Sequence, residues 1–266
     1  MELGILKIGI SIVTVVALAE IAKRVDPVLS GVLLGLPLGA GLAVYFIAYE
    51  QGLAFLVKGI PWAIAGLAAS VLFCTTYLFA GRRLNDRRLL SMVFCSIVAM
   101  AVFFAAGAWI RSMDLTLLSG TVLFLAIAVL NLFVLRCKAG TQPVKAGKPL
   151  GPKGLLLRGV IAGLIILGVT VAAPLAGSQW AGILSSFPST LYALLVIVHF
   201  ETGNELYPSI IHGFAHSVPA LAVFYLGCVA LLPLLGLNLG FIGVYVISAG
   251  YIYLTHLVMR KIKARA

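Results

Sequence analysis

The chain has 266 residues, of which 62% are hydrophobic and only 10% are charged, and its formal net charge is +11. Soluble globular domains carry about 25% charged residues, so this composition argues against a soluble fold. Apolar stretches of about twenty residues recur along the chain, and each could cross a hydrocarbon core of roughly 30 Å as a helix. We therefore predict an all-α polytopic membrane protein whose first partner is the lipid bilayer.

Nine transmembrane helices are predicted in chain order. They cover residues 4–22, 28–49, 56–80, 89–110, 116–136, 156–175, 180–199, 207–235 and 239–259. The first span begins close to Met1 without a basic leader region, which is typical of a retained helix rather than a removed signal peptide. The segment 207–235 is long for a single crossing, which indicates a tilted or broken helix.

The basic residues lie mainly in four segments, which follow predicted spans 1, 3, 5 and 9. Nine spans place all four segments on one face of the membrane. The positive-inside rule then predicts that the N-terminus is outside and the C-terminus is cytoplasmic. Because topology accounts for the positive charge, the net charge does not indicate a nucleic-acid partner.

Two segments of the chain resemble each other. Residues 30–52 read SGVLLGLPLGAGLAVYFIAYEQG, and residues 181–203 read AGILSSFPSTLYALLVIVHFETG. An ungapped alignment matches Gly31, Leu33, Pro37, Glu50 and Gly52 with Gly182, Leu184, Pro188, Glu201 and Gly203. The same register pairs Lys7 with Arg158. Prolines and acidic residues are scarce in this chain, so their matches favour a genuine internal repeat.

The repeat relates spans 1–4 to spans 6–9 and leaves span 5 as an extra crossing. Spans 1 and 6 would then run in opposite directions, and the two halves would be inverted, as in many secondary transporters. The predicted organisation is a first four-span repeat (1–110), a linker transmembrane helix (111–137), a cytoplasmic linker (138–154) and a second repeat with a basic tail (155–266). The cytoplasmic linker is rich in Gly, Lys and Pro, which is typical of a flexible connection.

The second repeat resembles a known family. The run AGILSSFPSTLYALLVIVHFETG, followed by IIHGFAHSVPALAVFYLG, is similar to the GlpM-like small bacterial membrane proteins, which are single four-span units. The shared features are an AG-x4-FP segment and a later G-x3-S-x-P segment. The first repeat departs from them, with Leu36 before Pro37 and no Ser-x-Pro. The resemblance implies a fused pair of GlpM-like units in a bacterial cytoplasmic (inner) membrane, and it implies no substrate or catalytic residue.

A substrate site is predicted where the two matched prolines interrupt their spans. Proline removes a backbone hydrogen bond, and the amides exposed at such a break can bind an anionic group. The candidate substrate-binding residues are Pro37, Ser185, Ser186, Pro188, Ser189 and Thr190. Two alternatives stay open. The prolines can simply bend the helices, and the small residues spaced by four (Gly31, Gly35 and Gly39 with Gly182, Ser186 and Thr190) can serve helix packing.

Ionisable residues supply candidate gates and a proton relay. Glu50 with Lys58, and their aligned partners Glu201 with His212, could form ion pairs at opposite faces of the membrane. His216 lies one helical turn beyond His212, and imidazole exchanges protons near neutral pH. The alternatives are solvated acids at helix ends, structural hydrogen bonding of the histidines, and a metal site. The last lacks the intervening Glu of the HExxH motif, so we predict no metal.

The expected function is a secondary transporter or flippase for a small polar or anionic solute or lipid headgroup, with proton coupling as one mechanism. The alternative is a non-transporting scaffold or accessory subunit of an envelope-polymer pathway, in which the small-residue stripes would bind partner helices. Homo-oligomers are compatible with either function. No nucleophile elbow, phosphate loop or dinucleotide fingerprint occurs, so no cofactor is predicted and an intramembrane enzyme is the least favoured class.

Overall fold

A computed structural model describes residues 4–14, 37–81, 88–139 and 151–263. Every regular element within these ranges is an α-helix. The helices are α1 (Gly4–Thr14), α2 (Leu38–Gln51), α3 (Leu53–Gly81), α4 (Arg88–Arg111), α5 (Leu117–Ala139), α6 (Pro152–Ser185), α7 (Ser189–Thr202) and α8 (Tyr207–Lys263). Parts of predicted spans 4–22 and 28–49, with Gly31 and Gly35, lie outside the described residues, as does most of the linker 138–154.

Within the described ranges, five helices are long and apolar enough to cross a membrane, or six when one bent pair is counted as a single span. The bent pair consists of the last part of α6 (Leu175–Ser185) and α7 (Ser189–Thr202). The axes of these two segments meet at 59°. The predicted all-helical class is therefore confirmed, and the lengths and composition of the helices are compatible with a membrane protein.

Helix α8 consists of two segments that lie side by side. Its backbone leaves the helical conformation at Gly236, where φ is 74° and ψ is 178°. A Cβ placed on Gly240 would lie 3.0 Å from the carbonyl oxygen of Leu231, and one on Gly227 would lie 3.3 Å from Val244. The chain therefore reverses at Gly236, which falls between the predicted spans 207–235 and 239–259.

Helix α1 packs antiparallel to the first part of α6. A Cβ on Gly163 would lie 3.1 Å from the Cα of Ile8, and a Cβ on Gly159 would lie 3.0 Å from the Cα of Ile12. As residue numbers rise along α1 they fall along α6, so the two helices run in opposite directions. Glycines at both contacts allow the backbones to approach this closely.

Helix α3 is the central element of the bundle. Inside the protein, 72% of its apolar window is buried, against 22% for each of α4 and α5. It starts directly after α2, and at its other end the amide of Asn204 donates to the carbonyl of Gly81 at 2.8 Å. We call the end of the bundle where α3 starts the Glu50 end, and the end where it stops the Glu201 end.

Candidate functional site: two proline-capped helices that meet

Helices α2 and α7 have matching boundaries. Each has 14 residues and begins directly after a proline, Pro37 (φ −75°, ψ 61°) or Pro188 (φ −78°, ψ 62°). Each ends at a glycine with positive φ, Gly52 at 86° or Gly203 at 62°. Proline has no N–H to leave unsatisfied and its φ suits the start of a helix, so both prolines work as helix initiators. At Pro188 the predicted interruption of the span is present as the 59° bend.

The first turns of α2 and α7 touch each other in the interior of the protein. A Cβ on Gly39 would lie 2.3 Å from the Ser189 hydroxyl oxygen and 3.3 Å from the Thr190 amide nitrogen, so a larger residue there would require the Ser189 side chain to move. The first helical hydrogen bonds are donated by Gly41 and Tyr192. The Ser189 amide donates to the Phe187 carbonyl at 2.7 Å, and the positive ends of the two helix dipoles lie close together.

The predicted serine hydroxyls divide into two groups. Ser185 donates to the Gly182 carbonyl at 2.7 Å and lies 3.1 Å from the Tyr225 hydroxyl, and Ser186 donates to the Ile183 carbonyl at 2.6 Å. Both hydroxyls therefore hold the bend together. The side chain of Ser189 is only 3% exposed, and its hydroxyl has no hydrogen-bond partner among the described residues. Ser189 is thus the predicted serine whose hydroxyl is not used to hold the bend.

A buried ion pair lies at the Glu50 end. The Lys7 ammonium is 2.7 and 2.9 Å from the two Glu50 carboxylate oxygens, and it donates to the Thr170 hydroxyl at 2.6 Å. Its three N–H donors are thus matched by three acceptors, and the side chain is 3% exposed. The predicted partner of Glu50 was Lys58, but that side chain is exposed and Glu50 pairs with Lys7 instead.

The pairing of Lys7 with Glu50 was missed in the sequence, although a usable indication was present. Lys7 lies near the start of predicted span 1, and Glu50 lies at the end of predicted span 2. Two adjacent antiparallel spans bring such positions to the same face of a membrane, where an isolated charge needs a counterion. Lys58 is nearer to Glu50 in the sequence, but distance along the chain does not decide which charged residues pair.

At the Glu201 end, the described residues include a buried histidine and no ion pair. His199 is 1% exposed, its Nδ1 lies 2.9 Å from the Tyr77 hydroxyl, and its ring stacks on Tyr207 with 4.5 Å between centroids. The Glu201 side chain is exposed, and its backbone carbonyl accepts a 2.9 Å hydrogen bond from Arg88. Glu201 is therefore held at this end through its backbone.

The other predicted relay residues do not gather around one buried position. His212 is half-buried and His216 is exposed. Within the part of the chain that the structure describes, no group of three or more His, Cys, Asp or Glu side chains could hold a metal ion.

A groove of about 270 Å³ opens between α3 and α4, away from the contact between α2 and α7. It is lined by Thr75, Thr76, Phe79, Ala80, Phe94 and Val98. None of the predicted substrate-binding or relay residues lines it. Two threonines supply its polar groups, and the remaining lining is apolar.

No protein-family model, curated protein or solved structure matches the chain.

Proposed function

We propose that the chain is a secondary transporter or flippase for a small polar or anionic solute or lipid headgroup, built as a fused inverted pair of GlpM-like units. The observation that carries the proposal is the buried meeting of α2 and α7, each of which starts at a matched proline. Interrupted helices whose N-termini meet inside a membrane protein form a typical transporter binding site, because their free amides attract negative charge.

Contacts between α1 and α6 support the inverted repeat. The register of the repeat pairs Ile8 with Gly159 and Ile12 with Gly163. The observed contacts join Ile8 to Gly163 and Ile12 to Gly159. Replacing each residue of one contact by its aligned partner in the repeat therefore gives the other contact. A twofold axis between two related halves has this property.

The meeting of α2 and α7 supports the same axis. The repeat aligns Gly39 with Thr190, and these two residues touch each other, as expected of a position on the axis. From there, α2 runs to the Glu50 end and α7 runs to the Glu201 end. We propose nine spans in a bacterial inner membrane, with the Glu50 end outside and the Glu201 end in the cytoplasm.

In this proposal the solute binds at the meeting of the helices and is exposed to each face in turn. Lys7 and Glu50 close the path at the Glu50 end. Arg88 and the α7 terminus close it at the Glu201 end. Proton coupling through Glu201, His212 and His216 is a separate part of the proposal and is tested separately below.

Purified protein in liposomes tests the function in two arms. In the first arm, radiolabelled phosphate and carboxylate solutes are offered under an imposed pH gradient. In the second arm, dithionite quenching of lipids with a fluorescent headgroup reports movement between leaflets. We expect activity in one arm and its loss in Gly39→Val, whose side chain would occupy the meeting point. Gly168→Val is the control, because nothing lies within 4 Å of a Cβ there.

Two results would count against parts of this proposal. Full activity of a folded Gly39→Val protein would show that the meeting point of α2 and α7 is not part of the transport path. Unchanged pH-dependent uptake by His216→Ala would remove His216 from the proton relay and leave the transporter standing.

A scaffold or accessory subunit is the second candidate, and two observations favour it. The contact between Gly39 and Ser189 is closely packed, and the groove between α3 and α4 has a mainly apolar lining that a partner helix could contact. A scaffold predicts no transport in either arm. It also predicts that Phe94→Ala, within the groove, weakens co-purification of a specific membrane partner without affecting folding.

A further inference from the structure

Arg158 is the counterpart of Lys7 in the repeat, but its charge is not matched in the same way. Its side chain is half-buried on α6, and its Nε donates to the Thr190 carbonyl at 3.3 Å. Among the described residues, no carboxylate lies within ion-pairing distance of Arg158. A cation in the apolar interior of a bundle is unfavourable without an anion, and the described part of the chain supplies none to Arg158.

The contact with Thr190 places Arg158 beside the meeting of α2 and α7. Thr190 follows Ser189, whose buried hydroxyl has no partner among the described residues. The first-turn amides of α7 belong to the same segment. The guanidinium therefore lies at the first turn of α7, which also carries the positive end of a helix dipole and a buried hydroxyl without a partner among the described residues. The guanidinium has five N–H donors, of which the described contacts use one.

We propose that Arg158 and Ser189 form an oxyanion-binding site that holds the carboxylate or phosphate group of the ligand. This proposal rests on the proposed function and names its substrate class. The planar guanidinium matches the two oxygens of such a group, and its hydrogen bonds to an anion are stronger than the present one to a neutral carbonyl. Ser189 donates a further hydrogen bond to the same anion, and Thr190 releases the arginine when the anion arrives.

The Lys7 site shows why the ligand binds at Arg158 rather than at the related position. Glu50 and Thr170 already occupy the three donors of Lys7. Glu201, which the repeat would place opposite Arg158, is exposed and interacts with Arg88 through its backbone. One half of the repeat thus carries its own carboxylate, and the other half takes its anion from the ligand.

Binding to the full-length protein in a nonionic detergent tests the proposal. The probes are inorganic phosphate and acetate, titrated by calorimetry at constant ionic strength, with chloride as the reference anion. Phosphatidic acid in the micelle tests a lipid source, with diacylglycerol as the matched lipid without phosphate. The free anions and phosphatidic acid distinguish a soluble ligand from a headgroup.

We expect at least one of the three probes to bind better than its reference. Arg158→Gln should raise its Kd about tenfold or more, because a hydrogen-bonded charge pair is lost. Arg158→Lys should have a smaller effect, and Ser189→Ala should raise the Kd roughly threefold to tenfold. Lys153→Gln, an exposed cation at the start of the same helix, is the control and should bind as the unmodified protein does.

The proposal is overturned if none of the probes binds in preference to its reference. It is also overturned if the folded Arg158→Gln, Arg158→Lys and Ser189→Ala variants all bind like the unmodified protein, or if Lys153→Gln weakens binding as much as Arg158→Gln does. Ser189→Ala decides the question if both Arg158 variants unfold. If oxyanion binding depends on Arg158 but the protein is inactive in both transport arms, the proposed transport function is wrong and the proposed binding site is supported. If transport is observed and substitutions of Arg158 and Ser189 do not change anion binding, the transport function is supported and the proposed oxyanion site is wrong.

Discussion

The Glu50 end and the Glu201 end of the bundle carry aligned residues but hold them differently. At the Glu50 end, Lys7 and Glu50 form a buried ion pair. Their counterparts Arg158 and Glu201 do not pair, since one contacts the Thr190 carbonyl and the other is exposed. The repeat therefore sets where charged residues lie, while local packing sets which of them meet. In the proposed transporter, this asymmetry means that one end is locked while the other can open.

Loss of one charge at the Glu50 end should give the largest loss of stability. Glu50→Gln keeps the shape of the side chain but leaves the Lys7 ammonium, 3% exposed, without its counterion. We expect a loss of about 3–5 kcal/mol, the range found when one partner of a buried pair is removed. Denaturation in mixed micelles measures the free energy of unfolding. Glu201→Gln, at the exposed counterpart, should leave it unchanged, and equal losses in both variants would contradict the asymmetry.

Adding a side chain at the contact between α3 and α6 should cost less stability than replacing Glu50. Gly59 and Gly182 face each other, and a Cβ on either would lie within 2.5 Å of a backbone oxygen of the opposite segment. Gly182→Ala should therefore destabilise the protein by about 1–3 kcal/mol through overpacking. Gly168→Ala, where a Cβ meets open space, serves as the matched variant for the same thermal melt. A Gly182→Ala protein as stable as Gly168→Ala would show that the two segments are not this close.

The buried histidine at the Glu201 end gives a comparable but smaller prediction. Tyr77→Phe removes the hydroxyl hydrogen-bonded to His199 Nδ1 and leaves a buried ring nitrogen unsatisfied. The expected loss is about 1–2 kcal/mol, within the range for an unsatisfied buried polar group. Tyr45→Phe removes an exposed hydrogen bond to Asn238 and should have less effect. The comparison fails if Tyr45→Phe is the more destabilising of the two.

Ser189→Ala should have the smallest effect on stability. The hydroxyl is buried and makes no hydrogen bond with the described residues, so its removal should leave the unfolding free energy within about 0.5 kcal/mol of the starting value or raise it slightly. The melting temperature measures this. A loss above about 1 kcal/mol would indicate a hydrogen bond that the described contacts lack, and it would weaken the argument that Ser189 awaits a ligand.

Much of the fold was predictable because apolar length and proline placement have direct physical consequences. The predicted spans 56–80 and 89–110 correspond closely to α3 and α4, and the break at Pro188 follows from its missing N–H. The reversal at Gly236 was expected between two apolar segments. The number of spans and the inversion of the halves remain predictions, which the contacts around Gly39 and between α1 and α6 support.

The site was less predictable, because its contacts join residues that are far apart in the sequence. Lys7 meets Glu50, and Arg158 meets Thr190. Periodicity indicates which residues share a helix face, but not which helices are neighbours. Ser185 and Ser186 resembled Ser189 in the sequence, yet their hydroxyls hold the bend, and this depends on the backbone conformation before Pro188.

The most direct test of the central claim is labelling from each face of the membrane. Ala54 and Glu205 are aligned in the repeat, both are exposed, and they follow the ends of α2 and α7. Cysteines at these positions, with Cys137→Ser to remove an exposed thiol, would be treated with an impermeant maleimide in sealed vesicles of both orientations. We predict that Ala54→Cys and Glu205→Cys react from opposite faces. Reaction of both from the same face would contradict the inverted arrangement.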